Sequence, residues 1–188
     1  MNKSMNKKYE LTNETILHNG KVLHRIRALK DFGVVKAGEF GGYIESENNL
    51  SQTGDCWVYD DAKVRDNAVI FGNAKAFGNS VIRDNAWVCD NALIFGNASI
   101  RDNARVYDDA KVCDYAWICG NAKIFDNALI FDNASIRDNA RVLDNAKVFD
   151  NASIRDNARV SGSAKVYDNA CVDENAFVYD DADVHGNA

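Results

Sequence analysis

A six-residue period of apolar and polar positions dominates the chain from residue 58 onward. A branched aliphatic residue stands at every sixth position of Val58–Val184, and 21 of these 22 residues are Val or Ile, the exception being Ala76. A second, small residue recurs at every sixth position of Ala62–Ala188, where 21 of 22 are Ala, the exception being Ser80. The repeating unit is therefore Val/Ile-x-Asp/Gly-Asn-Ala-x.

Each unit predicts a short β-strand followed by a turn. Successive side chains of a strand point to opposite faces, so in Ala-x-Val-x the Ala and Val side chains face inward and each x faces outward. The Asp-Asn or Gly-Asn pair is predicted to turn, because Asn and Gly tolerate left-handed backbone conformations. A six-residue period does not match the 3.6-residue turn of an α-helix. The pattern therefore favours an all-β fold.

A longer period shows how the units combine. The segment NASIRDNARV occurs at 97–106, 133–142 and 151–160, with offsets of 36 and 18 residues. Three units thus make one 18-residue coil with three strands and three corners. About seven such coils, stacked at the roughly 4.8 Å spacing of neighbouring strands, would form a triangular prism about 35 Å long. Over about three-quarters of the chain these residues resemble the left-handed β-helix hexapeptide-repeat family. That resemblance, not the period, implies a single-stranded, left-handed parallel β-helix.

Residues 1–50 lack the repeat and are predicted to form an N-terminal cap on a β-helix of residues 51–188. Within Tyr9–Leu29, two strand-like stretches surround Asn19-Gly20, which is a strong hairpin signal. A cap would cover the open strand edge of the first coil. The stretch RIRALKDFGVVKAGEFGGYIESENNLS also resembles the leader of repeat proteins encoded by phages and prophages.

Composition and charge narrow the possible environments. The formal net charge is −6, and an acidic solenoid is not typical of general nucleic-acid binders, which neutralise phosphates with a basic excess. The five Cys residues include no CxxC pair, which favours reduced thiols over a disulfide framework. The start MNKSMNKKYE is polar, unlike a signal peptide. We expect a cytoplasmic protein without a membrane span.

Outward positions 18 residues apart stack on one face, so they can be sorted into three faces. The first face carries a column of aromatic residues that would form an exposed apolar patch, as interaction surfaces do. Alternatively, the aromatic ladder only stabilises its own sheet. This aromatic column consists of Tyr59, Phe77, Phe95, Phe131, Phe149 and Tyr167.

Arginines flank one corner between the third and second faces. They form a basic ridge that could bind phosphates or a nucleic acid. Alternatively, the aspartates of the intervening turns neutralise the ridge. The ridge consists of Arg101, Arg105, Arg137, Arg141, Arg155 and Arg159.

Catalytic chemistry has little support in the sequence. Hexapeptide β-helices are best known as acyltransferases, which use a catalytic His at a subunit interface and loops that protrude from the coils. Here no insertion interrupts the period over 58–188, and His18, His24 and His185 are not predicted to converge. The Cys residues occupy different columns, and the glycine-rich repeat of calcium-binding β-rolls is absent. We therefore expect no catalytic residues, no cofactor and no metal.

These observations favour a non-enzymatic protein-binding β-helix that docks a protein partner or self-associates as a homodimer. The phage-like leader suggests a counter-defence inhibitor, such as an anti-CRISPR protein that blocks an RNA-guided nuclease. One alternative is a hexapeptide acyltransferase-like enzyme, whose acyl-donor binding would depend on a His. A further alternative is a rod that binds nucleotides or nucleic acid, or mimics nucleic acid.

Overall fold

The computed structural model describes residues 7–186. It is an all-β molecule, a parallel β-solenoid of about eight turns with coils of about 18 residues, which confirms the predicted fold class. Residues 1–6, which belong to the polar start, and Ala188, the last member of the Ala column, lie outside the described residues.

An antiparallel hairpin and one further strand precede the solenoid. Strands β1 (Tyr9–His18) and β2 (Lys21–Ala28) pair with each other. Asn19 and Gly20 connect them with φ angles of +50° and +78°, the left-handed region in which Asn and Gly are favoured. Strand β3 (Phe40–Ile44) pairs antiparallel with β2.

Two consecutive glycines allow β3 to lie against the first coil. A Cβ atom at Gly41 would stand 2.5 Å from the carbonyl oxygen of Val58. A Cβ at Gly42 would stand 2.5 Å from that of Ala62. Both distances are shorter than any real contact, so only glycine permits this approach.

The segment after β3 completes one more turn of the solenoid. A single 3₁₀ turn (Glu47–Asn49) follows, and the buried side-chain amide of Asn49 donates to the carbonyl oxygens of Asp66 and Ala68 at 3.0 and 2.9 Å. Leu50 then forms a parallel bridge with Ile70. Because this segment adds a turn that lacks the hexapeptide pattern, the solenoid has about eight turns and not the expected seven.

The solenoid itself consists of two-residue strands, one for each repeat unit. In chain order they are β4 (Trp57–Val58), β5 (Lys63–Val64), β6 (Val69–Ile70), β7 (Lys75–Ala76), β8 (Val81–Ile82), β9 (Trp87–Val88), β10 (Leu93–Ile94), β11 (Ser99–Ile100), β12 (Arg105–Val106), β13 (Lys111–Val112), β14 (Trp117–Ile118), β15 (Lys123–Ile124), β16 (Leu129–Ile130), β17 (Ser135–Ile136), β18 (Arg141–Val142), β19 (Lys147–Val148), β20 (Ser153–Ile154), β21 (Arg159–Val160), β22 (Lys165–Val166), β23 (Cys171–Val172), β24 (Phe177–Val178) and β25 (Asp183–Val184).

Every third strand joins the same sheet, as the 18-residue period requires. Pairing is parallel and in register, so that Leu93 lies between Lys75 and Lys111. The first face is an eight-stranded sheet from β4 to β25, and the second is a seven-stranded sheet from β6 to β24. The third face continues the hairpin through β3 into β5 and ends at β23.

The core is a narrow column of small and branched side chains. Every inward residue from Val58 to Val166 is fully buried, which confirms the inward assignment of the Val/Ile and Ala positions. No helix in residues 7–186 has the length and apolar character needed to cross a membrane.

The corners show which residue of the turn takes the left-handed conformation. It is the first one, Asp or Gly, and not the Asn that follows; Asp126, for example, has a φ angle of +56°. A carboxylate at this position also accepts a hydrogen bond from the next coil, as Asp126 does from the backbone N–H of Asp144 at 3.3 Å. The Asn side chains form amide ladders between coils, such as Asn121 to Asn139 at 3.1 Å.

Candidate active site and surface columns

The aromatic column of the first face is a ladder of stacked rings. The ring centroids of Phe131 and Phe149 lie 4.8 Å apart, and those of Phe149 and Tyr167 lie 4.9 Å apart. Tyr59 and Phe77 stack at 4.4 Å at the other end. All six predicted aromatic residues, including Phe95, are half-buried. This packing stabilises the sheet, and binding of a partner by the column stays a prediction.

The basic ridge consists of two different columns. On the third face each arginine lies beside the aspartate that follows it: Arg101 to Asp102 at 3.7 Å and Arg137 to Asp138 at 3.9 Å. Arg155 also reaches the carboxylate of the next coil. These arginines are therefore neutralised within the fold.

Arginines of the second face have no such partner. Among residues 7–186, Arg105, Arg141 and Arg159 form no ion pair. Arg105 instead lies over the ring of Trp87, 5.1 Å from its centroid.

A groove in the cap lies beside an irregular part of β1. Pairing with β2 shifts between Leu11 and Thr15, so that residues 12–14 bulge outward. The resulting groove has a volume of about 430 Å³. Its lining residues are Glu10, Leu11, Thr12, Asn13, Glu14, Arg27 and Phe40. Bulges of this kind are frequent beside active sites, because they redirect side chains and leave backbone groups unpaired.

The bulge also orients a histidine. The Nδ1 atom of His24 lies 3.2 Å from the carbonyl oxygen of Thr12, which also lines the groove. A carbonyl oxygen can only accept, so Nδ1 carries the proton and donates it. In the neutral ring, Nε2 then holds the lone pair. Half-buried His24 is thus set up as a general base.

His18 has a different environment at the end of β1. Its Nδ1 atom is buried and has no hydrogen-bond partner among the described residues. Burial, together with the positive charges of Lys63, Arg65 and Arg83, lowers the pKa of His18. A lower pKa makes a weaker base, and no group orients the ring, so His18 is less suited to proton transfer than His24.

Cysteines and acidic residues give no further chemistry. Burial and the adjacent carboxylate of Asp90 raise the pKa of Cys89 to about 12. Burial and Asp114 likewise raise the pKa of Cys113 to about 12. Both residues are therefore protonated thiols at neutral pH and poor nucleophiles. No group of three or more His, Cys, Asp or Glu side chains within residues 7–186 is arranged to hold a metal ion.

Sequence reasoning did not find the groove. The signal was the polar run Thr12-Asn13-Glu14 inside a predicted strand, which interrupts the alternation of side chains. His24 was noticed, but its partner is a backbone carbonyl, which no residue pattern identifies. Both features depend on the register between β1 and β2.

Fold and groove together define a parallel β-solenoid with a capped first coil and a positioned histidine in the cap. No family model matches the chain. The uncharacterized acetyltransferase YdcK of Escherichia coli (strain K12) is 42% identical to it over 62 residues. The matched segment is 32% of this chain, and it spans about a fifth (19%) of the length of YdcK.

This similarity corrects the expectation of a non-enzymatic protein. It favours the acyltransferase alternative over an inhibitor of bacterial defence, and the phage-like leader receives no support from it. The expectation relied on the uninterrupted period of residues 58–188 and on the scattered histidines. It overlooked the cap, where the bulge of β1 supplies the irregular backbone and orients His24.

Proposed function

We propose that the chain is an acetyltransferase-like enzyme built on a β-solenoid. The observation that carries the proposal is the 62-residue similarity to a protein described as an acetyltransferase. The solenoid supports it, because the hexapeptide-repeat resemblance implies acyl transfer for folds of this kind.

His24 is the proposed general base. Its Nε2 lone pair would accept the proton of an amine or hydroxyl group as that group attacks the carbonyl carbon of a thioester acetyl donor. The new bond joins the acceptor to the acetyl group, the carbon–sulfur bond breaks, and the proton leaves with the thiol. The Thr12 carbonyl, 3.2 Å from Nδ1, keeps the ring in the required tautomer and stabilises the imidazolium that forms.

The groove beside His24 is the proposed acceptor site. Its carboxylates are held by arginines: Glu14 accepts from Arg25 at 2.9 Å, and Glu10 pairs with Arg27. Phe40, whose side chain is exposed, supplies an apolar wall. The groove is therefore polar, close to neutral and rigid, which suits a small polar acceptor.

The direct test is acetyl transfer by the purified chain. Acetyl-coenzyme A is the donor, the acceptors are a panel of small amines and hydroxyl compounds, and mass spectrometry detects the acetylated product. We expect His24→Asn to lower kcat by about 10²–10⁴-fold, the usual contribution of a general base. His185→Asn is the matched control, because His185 stacks on Tyr167 far from the cap, and its activity should equal that of the wild type.

Two results would contradict the proposal at different levels. Absence of both product and measurable donor binding by calorimetry would overturn the enzyme. Full activity in His24→Asn, with loss in His18→Asn, would keep the enzyme and overturn the assignment of the base.

A further inference from the structure

Four cations stand in an unbroken column on the second face. We call Arg105, Lys123, Arg141 and Arg159 the basic column; they lie directly opposite one another on β12, β15, β18 and β21. Like charges in directly opposed strand positions repel and destabilise a sheet. Within residues 7–186 no carboxylate lies within ion-pair distance of any of the four. An anionic ligand would relieve this repulsion.

Aromatic side chains end the column on both sides. Trp87 lies opposite Arg105 and is 46% exposed. Phe177 lies opposite Arg159 and is 63% exposed. From Trp87 to Phe177 the column covers five strand spacings, about 24 Å at roughly 4.8 Å each. Exposed rings at the ends of a cationic track are the features with which proteins hold single strands of nucleic acid.

The two flanks of the basic column differ in charge. One flank is a neutral amide ladder, in which Asn139 donates to Asn157 at 3.2 Å. These residues, with Arg141, Arg159 and Phe177, line a groove of about 180 Å³.

The opposite flank of the basic column is apolar next to it and acidic beyond. Tyr107 and Phe125 stack there at 5.0 Å. Near Trp87 this flank borders a second groove of about 220 Å³. The aspartates of the following corner, such as Asp108, come after the aromatic positions. A ligand can therefore place phosphates on the basic column and bases over the aromatic flank.

We propose that the second face binds a short single-stranded segment of nucleic acid along the basic column, with bases stacked on Trp87 and Phe177. A duplex fits poorly, because its second backbone would lie against the acidic corner. The 24 Å track corresponds to about four nucleotides, the short end of known single-strand site sizes. The inference uses a surface remote from the cap and does not depend on acetyl transfer.

The test is fluorescence anisotropy with labelled oligothymidylates of four to twelve nucleotides, titrated with the full chain at several salt concentrations. We expect affinity to stop rising at about four to six nucleotides. With four phosphates neutralised, the slope of log K against log salt should be about −2.8. Duplex DNA of equal length should bind more weakly.

Matched variants separate the two arginine columns. Arg141→Gln with Arg159→Gln should reduce the slope to about −1.4. Arg137→Gln with Arg155→Gln, which removes the same charge from the neutralised third face, should leave the slope unchanged. Trp87→Ala should weaken binding about tenfold through lost base stacking. Trp117→Ala, on the third face, should not.

Several outcomes would overturn the inference. They are the absence of binding at low salt, equal effects of the two arginine pairs, and duplex binding as tight as single-strand binding. Equally tight binding of inorganic polyphosphate or polyglutamate, without dependence on Trp87, would show a charged track that does not recognise nucleic acid.

Discussion

Ser80 is the one departure from Ala in the small inward column of the described coils. Its side chain is fully buried, and its hydroxyl group has no hydrogen-bond partner among residues 7–186. A buried polar group without a partner loses its hydration and gains nothing in return. Ser80 is therefore a weak point of the core.

Replacing this residue with the consensus should stabilise the chain. We expect Ser80→Ala to raise the free energy of unfolding by about 1 kcal/mol, because it removes the unsatisfied hydroxyl without leaving a cavity. Urea denaturation followed by circular dichroism measures the change. Ser135→Ala is the control, since Ser135 faces outward; a similar gain there would show that the buried hydroxyl is not the cause.

Single residues also mark the limit of prediction from the sequence. The inward Val/Ile and Ala positions could be assigned because strand geometry fixes them and the repeat confirms each assignment many times. The left-handed corner residue could not: Asp and Asn both tolerate this conformation. Choosing Asp over Asn depends on a hydrogen bond from the following coil, such as that from Asp144 to Asp126.

At the scale of an element, each corner is stabilised by conformation and by hydrogen bonding. Asp126 has a φ angle of +56°, and its carboxylate accepts the N–H of Asp144 at 3.3 Å. A β-branched residue at this φ is strained and supplies no acceptor.

Substitutions of Asp126 can separate these two contributions. We expect Asp126→Val to lower the free energy of unfolding by about 2–3 kcal/mol, because strain of about 1–3 kcal/mol is added to a lost hydrogen bond. Asp126→Asn should be nearly neutral, since Asn accepts the same bond and tolerates the same φ. Thermal denaturation of the two variants compares them, and equal losses would mean that charge, not geometry, holds the corner.

Elements also explain why the sheets could be predicted and the candidate active site could not. The sheets follow from a period of 18 residues, so every strand has the same neighbours by arithmetic. The groove arises where β1 and β2 fall out of register between Leu11 and Thr15. Such a shift is set by packing of the cap on the first coil, where Gly41 and Gly42 allow close approach, and it leaves no periodic trace.

At the scale of the molecule, each coil contacts only the coil before it and the coil after it. Val106 is fully buried, and its strand pairs with a neighbour on both sides. Val178 is half-buried, and its strand pairs on one side only. Stability in such a stack is a sum of local and nearest-neighbour contributions, so the cost of a change depends on its position.

The same substitution at these two positions should therefore differ in effect. We expect Val106→Asp to cost about 4 kcal/mol or more and to unfold the central coils, because an unpaired charge enters the apolar core. Val178→Asp in the 188-residue chain should cost about 1 kcal/mol, since its charge remains hydrated. Hydrogen exchange read by mass spectrometry locates the loss, and equal costs would contradict a stack of local units.

The identical segments at 97–106, 133–142 and 151–160 have a genetic consequence. Recombination between their coding sequences would delete or insert whole 18-residue coils while every junction kept its strand register and corner. Such events change the length of the rod in single-coil steps and leave the cap untouched. They also add or remove one cation of the basic column at a time, so natural length variants of this chain would form a graded series in its charge.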